Sequence, residues 1–286
     1  EYDGINLLKG GIVHADAINA VSQKYAQEIR TPEFGWGLDR LIDAKAYKLY
    51  GILNGIDYEE WSPAVDSFIP ATFDLDDLSG KAVCKTVLQK AFNLPQRNEV
   101  PLIGLVGRLV EQKGITLLSA TVDTLMELDI QIVLLGTGEK WAEHFFSDIA
   151  SKYPEKFACY IGYRNDLAHQ IEAGSDMFLM PSLFEPCGLN QIYSLKYGTL
   201  PIVRLTGGLA DTVRLFDPST GEGTGFVFDH FTAEGLSWAL DAALRVWSNK
   251  QAWQRLMDNA MAQDFSWLRS AGRYLALYHE AINLER

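Results

Sequence analysis

Cysteine is scarce. Cys84, Cys159 and Cys187 are the only three in 286 residues, odd in number, far apart and without C-x-x-C spacing. They argue against a disulfide framework and a cysteine-based zinc site, and favour a reducing compartment. Positive charge is also short: 25 Lys and Arg stand against 37 Asp and Glu, a formal net charge of −12. That balance argues against an extended surface for nucleic acid or an anionic membrane, and leaves room for a small local cationic site. No uncharged run approaches transmembrane length and no signal peptide is visible. The histidines (14, 144, 169, 230 and 279) lack zinc-ligand spacing. There is no internal repeat and no low-complexity segment. The first residue is Glu1 rather than Met, inside a helical pattern, which points to a fragment or a processed product. What remains is an ordinary globular composition, long enough to bury a core in one or two domains.

The pattern changes along the chain. Residues 5–15 have helical apolar spacing, 16–21 read as a short strand, and Ser22 opens a polar helix to about Ile29. Thr31–Leu38 is a loop by its Pro and Gly, and Tyr50–Leu53 a short strand ending at Asn54-Gly55. Residues 56–97, with Pro63, Pro70 and many Asp, read as a crossing segment. From about 98 to 265 short apolar runs alternate with helices. Strands are expected at 101–106, 130–135, 157–161, 177–180, 200–203 and 225–228. Helices are expected at 114–128, 140–152, 165–173, 188–197 and 209–215. That alternation predicts an α/β fold with a Rossmann-like, doubly wound parallel sheet. The tail is helical: an apolar stripe runs from Leu236 to Trp247, and Ser266 caps a last helix of about 267–283.

In such a sheet ligands bind at the carboxyl ends of the strands, against helix N-termini. Arg108 and Lys113 follow the first strand of the regular region, where they can grip a diphosphate; a pair of solvated loop cations is the other reading. Glu185 follows the fourth strand. There it can accept hydrogen bonds from sugar hydroxyls or stabilise positive charge at a glycosyl carbon, unless it merely caps the helix that follows. Cys187 has no His near it in sequence and reads as a small buried side chain whose backbone N–H matters. Thr206-Gly207-Gly208 offers N–H groups suited to phosphate, or is a plain turn. Tyr163, after Gly162, is placed either to lie on a planar base or to sit on a surface rim. Gly136-Thr137-Gly138 lacks the third Gly of a dinucleotide fingerprint. Asp74-Leu75-Asp76-Asp77 reads as a solvated charge run rather than a metal site. Trp36, between two glycines, is placed to stack on a sugar.

Taken together, these segments resemble the bacterial glycogen synthase and plant starch synthase family. The resemblance is carried by Asn54-Gly55-Ile56-Asp57, Gly107-Arg108-Leu109 with Gln112-Lys113-Gly114, and Ile161-Gly162-Tyr163. It continues through Pro181-Ser182 with Phe184 to Leu189, Leu195 to Pro201, Thr206 to Val213, and Asp264 to Trp267. It implies the C-terminal half of a two-domain GT-B glycosyltransferase: 1–55 the tail of the N-terminal domain, 56–97 the crossing, 98–265 the nucleotide-sugar domain, and 266–286 a helix returning to the N-terminal domain. It further implies retaining transfer of glucose from ADP-glucose to the non-reducing end of an α-1,4-glucan, releasing ADP, with no cofactor and no metal. Under it Arg108 and Lys113 neutralise the leaving diphosphate, and Glu185 orients the donor glucose. Cys187, Gly188 and Leu189 hold sugar or phosphate through their backbone, Gly162 and Tyr163 face adenine, Thr206 to Gly208 cap the phosphates, and Asn54 reaches the donor sugar. Broader families of this fold carry a second Glu eight residues after the first; here it is Tyr193, as the synthases also lack it. The family's lysine-glycine-glycine loop has no counterpart here. The expectation is therefore a donor half that is inactive without a separate N-terminal domain. A UDP-glucose transferase of the same fold is the alternative. A bacterial cytoplasm or a plastid stroma is the expected compartment.

Overall fold

Six apolar runs become six parallel strands. The computed structural model describes residues 4–284. The strands are β3 (Leu102–Leu109), β4 (Gln131–Gly138), β5 (Phe157–Ile161), β6 (Met177–Met180), β7 (Leu200–Arg204) and β8 (Phe226–Phe228); β1 (Ile18–Ala20) and β2 (Leu49–Gly51) form a separate parallel pair. The helices are α1 (Leu7–His14), α2 (Gln23–Glu28), α3 (Asp39–Ala44), α4 (Ser79–Ala91), α5 (Ile115–Glu127), α6 (Lys140–Lys152), α7 (Asn165–Gly174), α8 (Asn190–Lys196), α9 (Gly207–Thr212), α10 (Ala233–Ser248), α11 (Lys250–Met261) and α12 (Trp267–Leu284).

The main sheet has the order β5-β4-β3-β6-β7-β8. The chain winds outward from β3 through β4 to β5, then returns to the other side of β3 and winds outward again. The direction reverses between β3 and β6, and the crevice at their carboxyl ends is the place where doubly wound sheets take ligands. Alternate residues of each strand face opposite layers. Ile103, Ile132, Leu134, Met177, Leu179 and Ile202 meet α5, α6, α10 and α11. Leu102, Val133, Leu135, Phe178, Met180 and Val203 meet α4, α7 and α9.

The segment 56–97 is more than a crossing. Its second half is α4, whose Leu88 is fully buried in the second layer, worth roughly 2 kcal/mol of transfer free energy. The sequence hides this helix because its buried face carries Lys81, Lys85 and Gln89, while Val83 and Val87 look outward. The lysines are satisfied by carbonyls. Lys81 Nζ donates to Ala173 O (3.1 Å), Tyr197 O (2.9 Å) and Thr199 Oγ1 (2.8 Å). Lys85 Nζ donates to Val100 O (2.6 Å) and pairs with Asp176 (2.7 Å). Other differences are small: the helix expected at 188–197 starts at Asn190, because Gly188 is left-handed at φ +70°. The last helix packs on the 1–55 segment, where Tyr50 Oη donates to Glu280 (2.7 Å) and Asn19 to Tyr274 Oη (3.2 Å).

Candidate functional site

The loops after β3 and β6 are stitched together at the switch point. After β3 the chain turns through Glu111–Lys113 and enters α5 at Gly114, with φ +79°. A Cβ there would lie 2.0 Å from Pro181 O, so only glycine lets the two loops approach this closely. Leu183 N then donates to Gln112 O (2.9 Å) and Gln112 Nε2 to Phe184 O (3.3 Å). Arg108 Nη2 donates to Gln112 Oε1 at 2.8 Å, and Asn190 Nδ2 ties the start of α8 to Val106 O at 2.8 Å. Arg204 holds the Leu183 carbonyl from β7.

This scaffold brings Lys113 and Glu185 together, 72 residues apart in sequence, at 2.5 Å between Nζ and Oε2. Ser182 Oγ donates to the same oxygen at 3.2 Å. Oε1 makes no hydrogen bond among the described residues. The glutamate side chain is 6% exposed and the lysine 26%, so the pair is a lined floor with an open cationic side.

The turn that follows Glu185 is open. The N–H groups of Cys187, Gly188 and Leu189 donate no hydrogen bond among the described residues. Three successive free donors at the start of a helix form a concavity for an anion or for sugar oxygens. Gln191 shapes it from below by donating to Cys187 O (3.0 Å) and Gly188 O (3.1 Å). Cys187 itself is buried against the Asn54 backbone, and burial pushes its thiol pKa up, which disfavours the thiolate a nucleophile needs. The Asn54 backbone is thereby placed at this loop.

The Thr206-Gly207-Gly208 turn is different, and here the sequence expectation needs correcting. Its donors are already engaged. Gly207 N donates to both carboxylate oxygens of Glu28 at 3.1 Å, and Thr206 Oγ1 to the same oxygens at 3.3 and 3.2 Å. Gly208 N donates to Glu185 O at 2.9 Å. A phosphate has no free donor on this turn as it stands. Glu28 is the residue that sequence reading missed. Nothing local marks it, since its partners lie 178 and 179 residues away.

Gly162 and Tyr163 stand off at the end of β5. Gly162 N reaches Gly136 O (2.9 Å) and Tyr163 is 84% exposed, without ring contact among the described residues. Trp36 meets Phe184 edge-on with ring centroids 6.3 Å apart, which puts an exposed indole beside the residue that precedes Glu185. Tyr193, where broader families carry a second acid, is stacked on Trp61 at 3.8 Å; Trp61 also stacks on His169, which bonds Asp66 at 2.8 Å. That aromatic pile braces the crossing segment. Asp74 turns back on the N–H groups of Asp76 and Asp77, as a loop cap does. Among the described residues no helix is long and apolar enough to cross a membrane.

Residues 88–260 match the family model "Glycosyl transferases group 1". The chain belongs to that family of glycosyltransferases. Residues 1–44 match a second model, "Starch synthase catalytic domain". Glycogen synthase 1 of Geobacter metallireducens is 54% identical over 97% of this chain and 55% of its own length. A glycogen synthase of Anaeromyxobacter sp. is 51% identical over 97% of this chain and 58% of its own. The solved catalytic domain of starch synthase IV from Arabidopsis thaliana, bound to ADP and acarbose, superposes with a TM-score of 0.92 at 38% identity, over 98% of this chain and 58% of that one. The glycosyltransferase sheet is thus the GT-B type of the starch synthases. The chain spans a little over half the length of these relatives.

Proposed function

We propose that this glycosyltransferase chain forms the donor side of a glucan synthase that moves glucose from ADP-glucose to the non-reducing end of an α-1,4-glucan. The observation that carries the reading is the Lys113–Glu185 pair at the β3–β6 switch point, with Arg108 lining the same cavity as Lys113, beside the free N–H groups of Cys187 to Leu189. The names of the relatives and the ADP in the Arabidopsis structure support the choice of glucan and of adenine.

In this reading the diphosphate draws Lys113 away from Glu185. Arg108 and Lys113 then hold the charge that builds as the bond between the glucose anomeric carbon and the β-phosphate oxygen breaks, a role other transferases give to a metal. Glu185, released from the lysine, accepts hydrogen bonds from the donor glucose. The acceptor hydroxyl oxygen bonds to the anomeric carbon on the face the diphosphate leaves, so configuration is retained, and its proton passes to the departing phosphate oxygen. Binding energy raises turnover where it grows with that charge. Transfer needs both walls of the cleft, the donor side and an acceptor side.

Calorimetry of this chain with ADP and UDP tests the donor side alone. ADP is expected to bind, and UDP about tenfold more weakly, a difference of about 1.4 kcal/mol. Equal or tighter binding of UDP would overturn the choice of base, and no binding of either would sink the preformed donor site. Labelled ADP-glucose with glycogen, assayed with the full gene product, tests the transfer itself.

A further inference from the structure

Two short helices from distant parts of the chain exchange carboxylates. At the start of α2, Ser22 Oγ and Lys24 N donate to Asp211 Oδ2 of α9 at 2.8 and 3.1 Å. At the start of α9, Thr206 Oγ1 and Gly207 N donate to Glu28, the last residue of α2. The helices therefore run antiparallel, and each supplies the anion that caps the other. Negative charge is stabilised at a helix start, and charge-assisted bonds of this kind are among the stronger ones. The Glu28 half is buried, with Thr206 1% and Glu28 9% exposed, whereas Asp211 is exposed although its partner Ser22 is 0% exposed.

The two halves of the exchange have different neighbours. The Asp211 half faces the start of α2, where Ser22 and Lys24 hold it. The Glu28 half lies directly behind the donor glutamate. Gly207, at φ +43°, presses so closely on Glu185 that a Cβ would stand 1.8 Å from its carbonyl oxygen. Gly208 N donates to that same carbonyl at 2.9 Å. A continuous line of contacts thus runs from the Glu28 carboxylate, through Gly207 and Gly208, to the backbone of Glu185 and on to its side chain on Lys113. The carboxylate also occupies the donors that a phosphate would otherwise take.

We propose that Glu28 is a positioning residue for Glu185: it is the resident anion of the Thr206–Gly207 turn, and by filling that turn it fixes the backbone that aims the donor glutamate. The proposal rests on the reading of Glu185 as the ligand of the donor glucose. It makes the 1–55 segment part of the donor site rather than only the edge of the acceptor side, and it directs the donor phosphates to the Cys187–Leu189 turn.

The test compares Glu28→Ala, Glu28→Gln, Asp211→Asn and Glu185→Ala in the full gene product, by kcat and KM for the donor, ADP calorimetry and amide exchange at Gly208. Glu28→Ala is expected to lower kcat about tenfold or more with KM within about threefold, the pattern of a lost transition-state contact. Its ADP affinity should stay within about twofold, and protection of the Gly208 amide should fall. Glu28→Gln keeps an oxygen for Gly207 N and should restore most of the kcat, which also guards against a variant that fails to fold. Asp211→Asn loosens the same helix pair and should cost stability without the kcat loss. An unchanged kcat in Glu28→Ala, or an equal kcat loss in Asp211→Asn, would overturn the proposal. ADP binding severalfold tighter in Glu28→Ala would also overturn it, by making the turn a phosphate site that Glu28 blocks. If Glu185→Ala keeps full turnover, it is the role of Glu185 that fails; the backbone coupling is then judged on Gly208 exchange, with unchanged protection rejecting it.

Discussion

Three turns at the carboxyl ends of this sheet offer glycine and backbone N–H groups, and they differ in what already sits on them. At the end of β4, Gly136-Thr137-Gly138 is filled by Glu143, which accepts from Thr137 Oγ1 at 2.6 Å and Gly138 N at 3.0 Å. After β7, Thr206-Gly207 is filled by Glu28. After β6, Cys187-Gly188-Leu189 is left open. In sequence the last two read as places for phosphate or sugar, and the first falls short of a dinucleotide fingerprint by its third Gly. In the fold two are closed by the protein's own carboxylates, so of these three only one keeps free donors among the described residues. The open turn is also the one next to Lys113 and Glu185.

The comparison breaks most easily at Lys113. Lys113→Ala in the full gene product should lower turnover about 100- to 1000-fold, the range for removing a group aimed at developing charge. Glu185 keeps Ser182 and gains water through the gap, so the stability cost should be about 1 kcal/mol. Steady-state kinetics with ADP-glucose, alongside thermal unfolding, checks both. Turnover within threefold of the parent would remove the leaving-group role and leave the open turn without its cation.

Next comes a pair of glycine substitutions, one in a filled turn and one in the open turn. Gly207→Ala puts a Cβ against the Glu185 carbonyl at a positive φ, and should cost on the order of 3 kcal/mol of stability. Molecules that do fold should bind ADP within about threefold of the parent. Gly188→Ala meets the flexible end of Gln191 instead, 2.4 Å from the Cβ position, so its stability cost should be about 1–2 kcal/mol. Its main effect should be on ADP affinity, because the added methyl group shifts the open donors. If Gly207→Ala loses more ADP affinity than Gly188→Ala, the assignment of filled and open turns is reversed.

The sheet was legible because its strands are unbroken apolar runs between glycine-bearing turns: 157–161 and 177–180 match β5 and β6 residue for residue. Strand β3 runs on to Leu109, past the expected end at 106, because the ladder to β4 continues through Arg108 and Leu109. Helix α4 was not legible, since two lysines and a glutamine occupy its buried face and cap carbonyls of other elements. At the candidate site, Arg108, Lys113 and Glu185 could be singled out because each lies at or just past the end of a readable strand. Glu28 and Asp211 could not, because their meaning lies in the partner helix and not in their neighbours. The aromatic pile of Trp61, His169 and Tyr193 escaped for the same reason. Local chemistry is written in local sequence; which turn is filled is written only in the fold.

The smallest expected effect isolates the turn at the end of β4. The bonds from Lys140, Thr137 and the Gly138 N–H bring the Glu143 carboxyl from its ordinary value of 4.5 down to about 2. A carboxyl whose folded pKa lies below its unfolded one binds fewer protons when folded. Its contribution to stability is therefore complete above about pH 4.5 and is lost as the pH falls through about 2. Lys140 is exposed and its bond is screened, so the effect should be modest and weaker in high salt. Glu143→Gln should flatten the acid limb of the stability curve between those two pH values, as followed by urea unfolding of parent and variant at matched pH. It should leave ADP affinity at neutral pH unchanged, because this carboxylate fills a turn that takes no part in binding. An ADP affinity that changed in Glu143→Gln would show that the turn at the end of β4 belongs to the donor site after all.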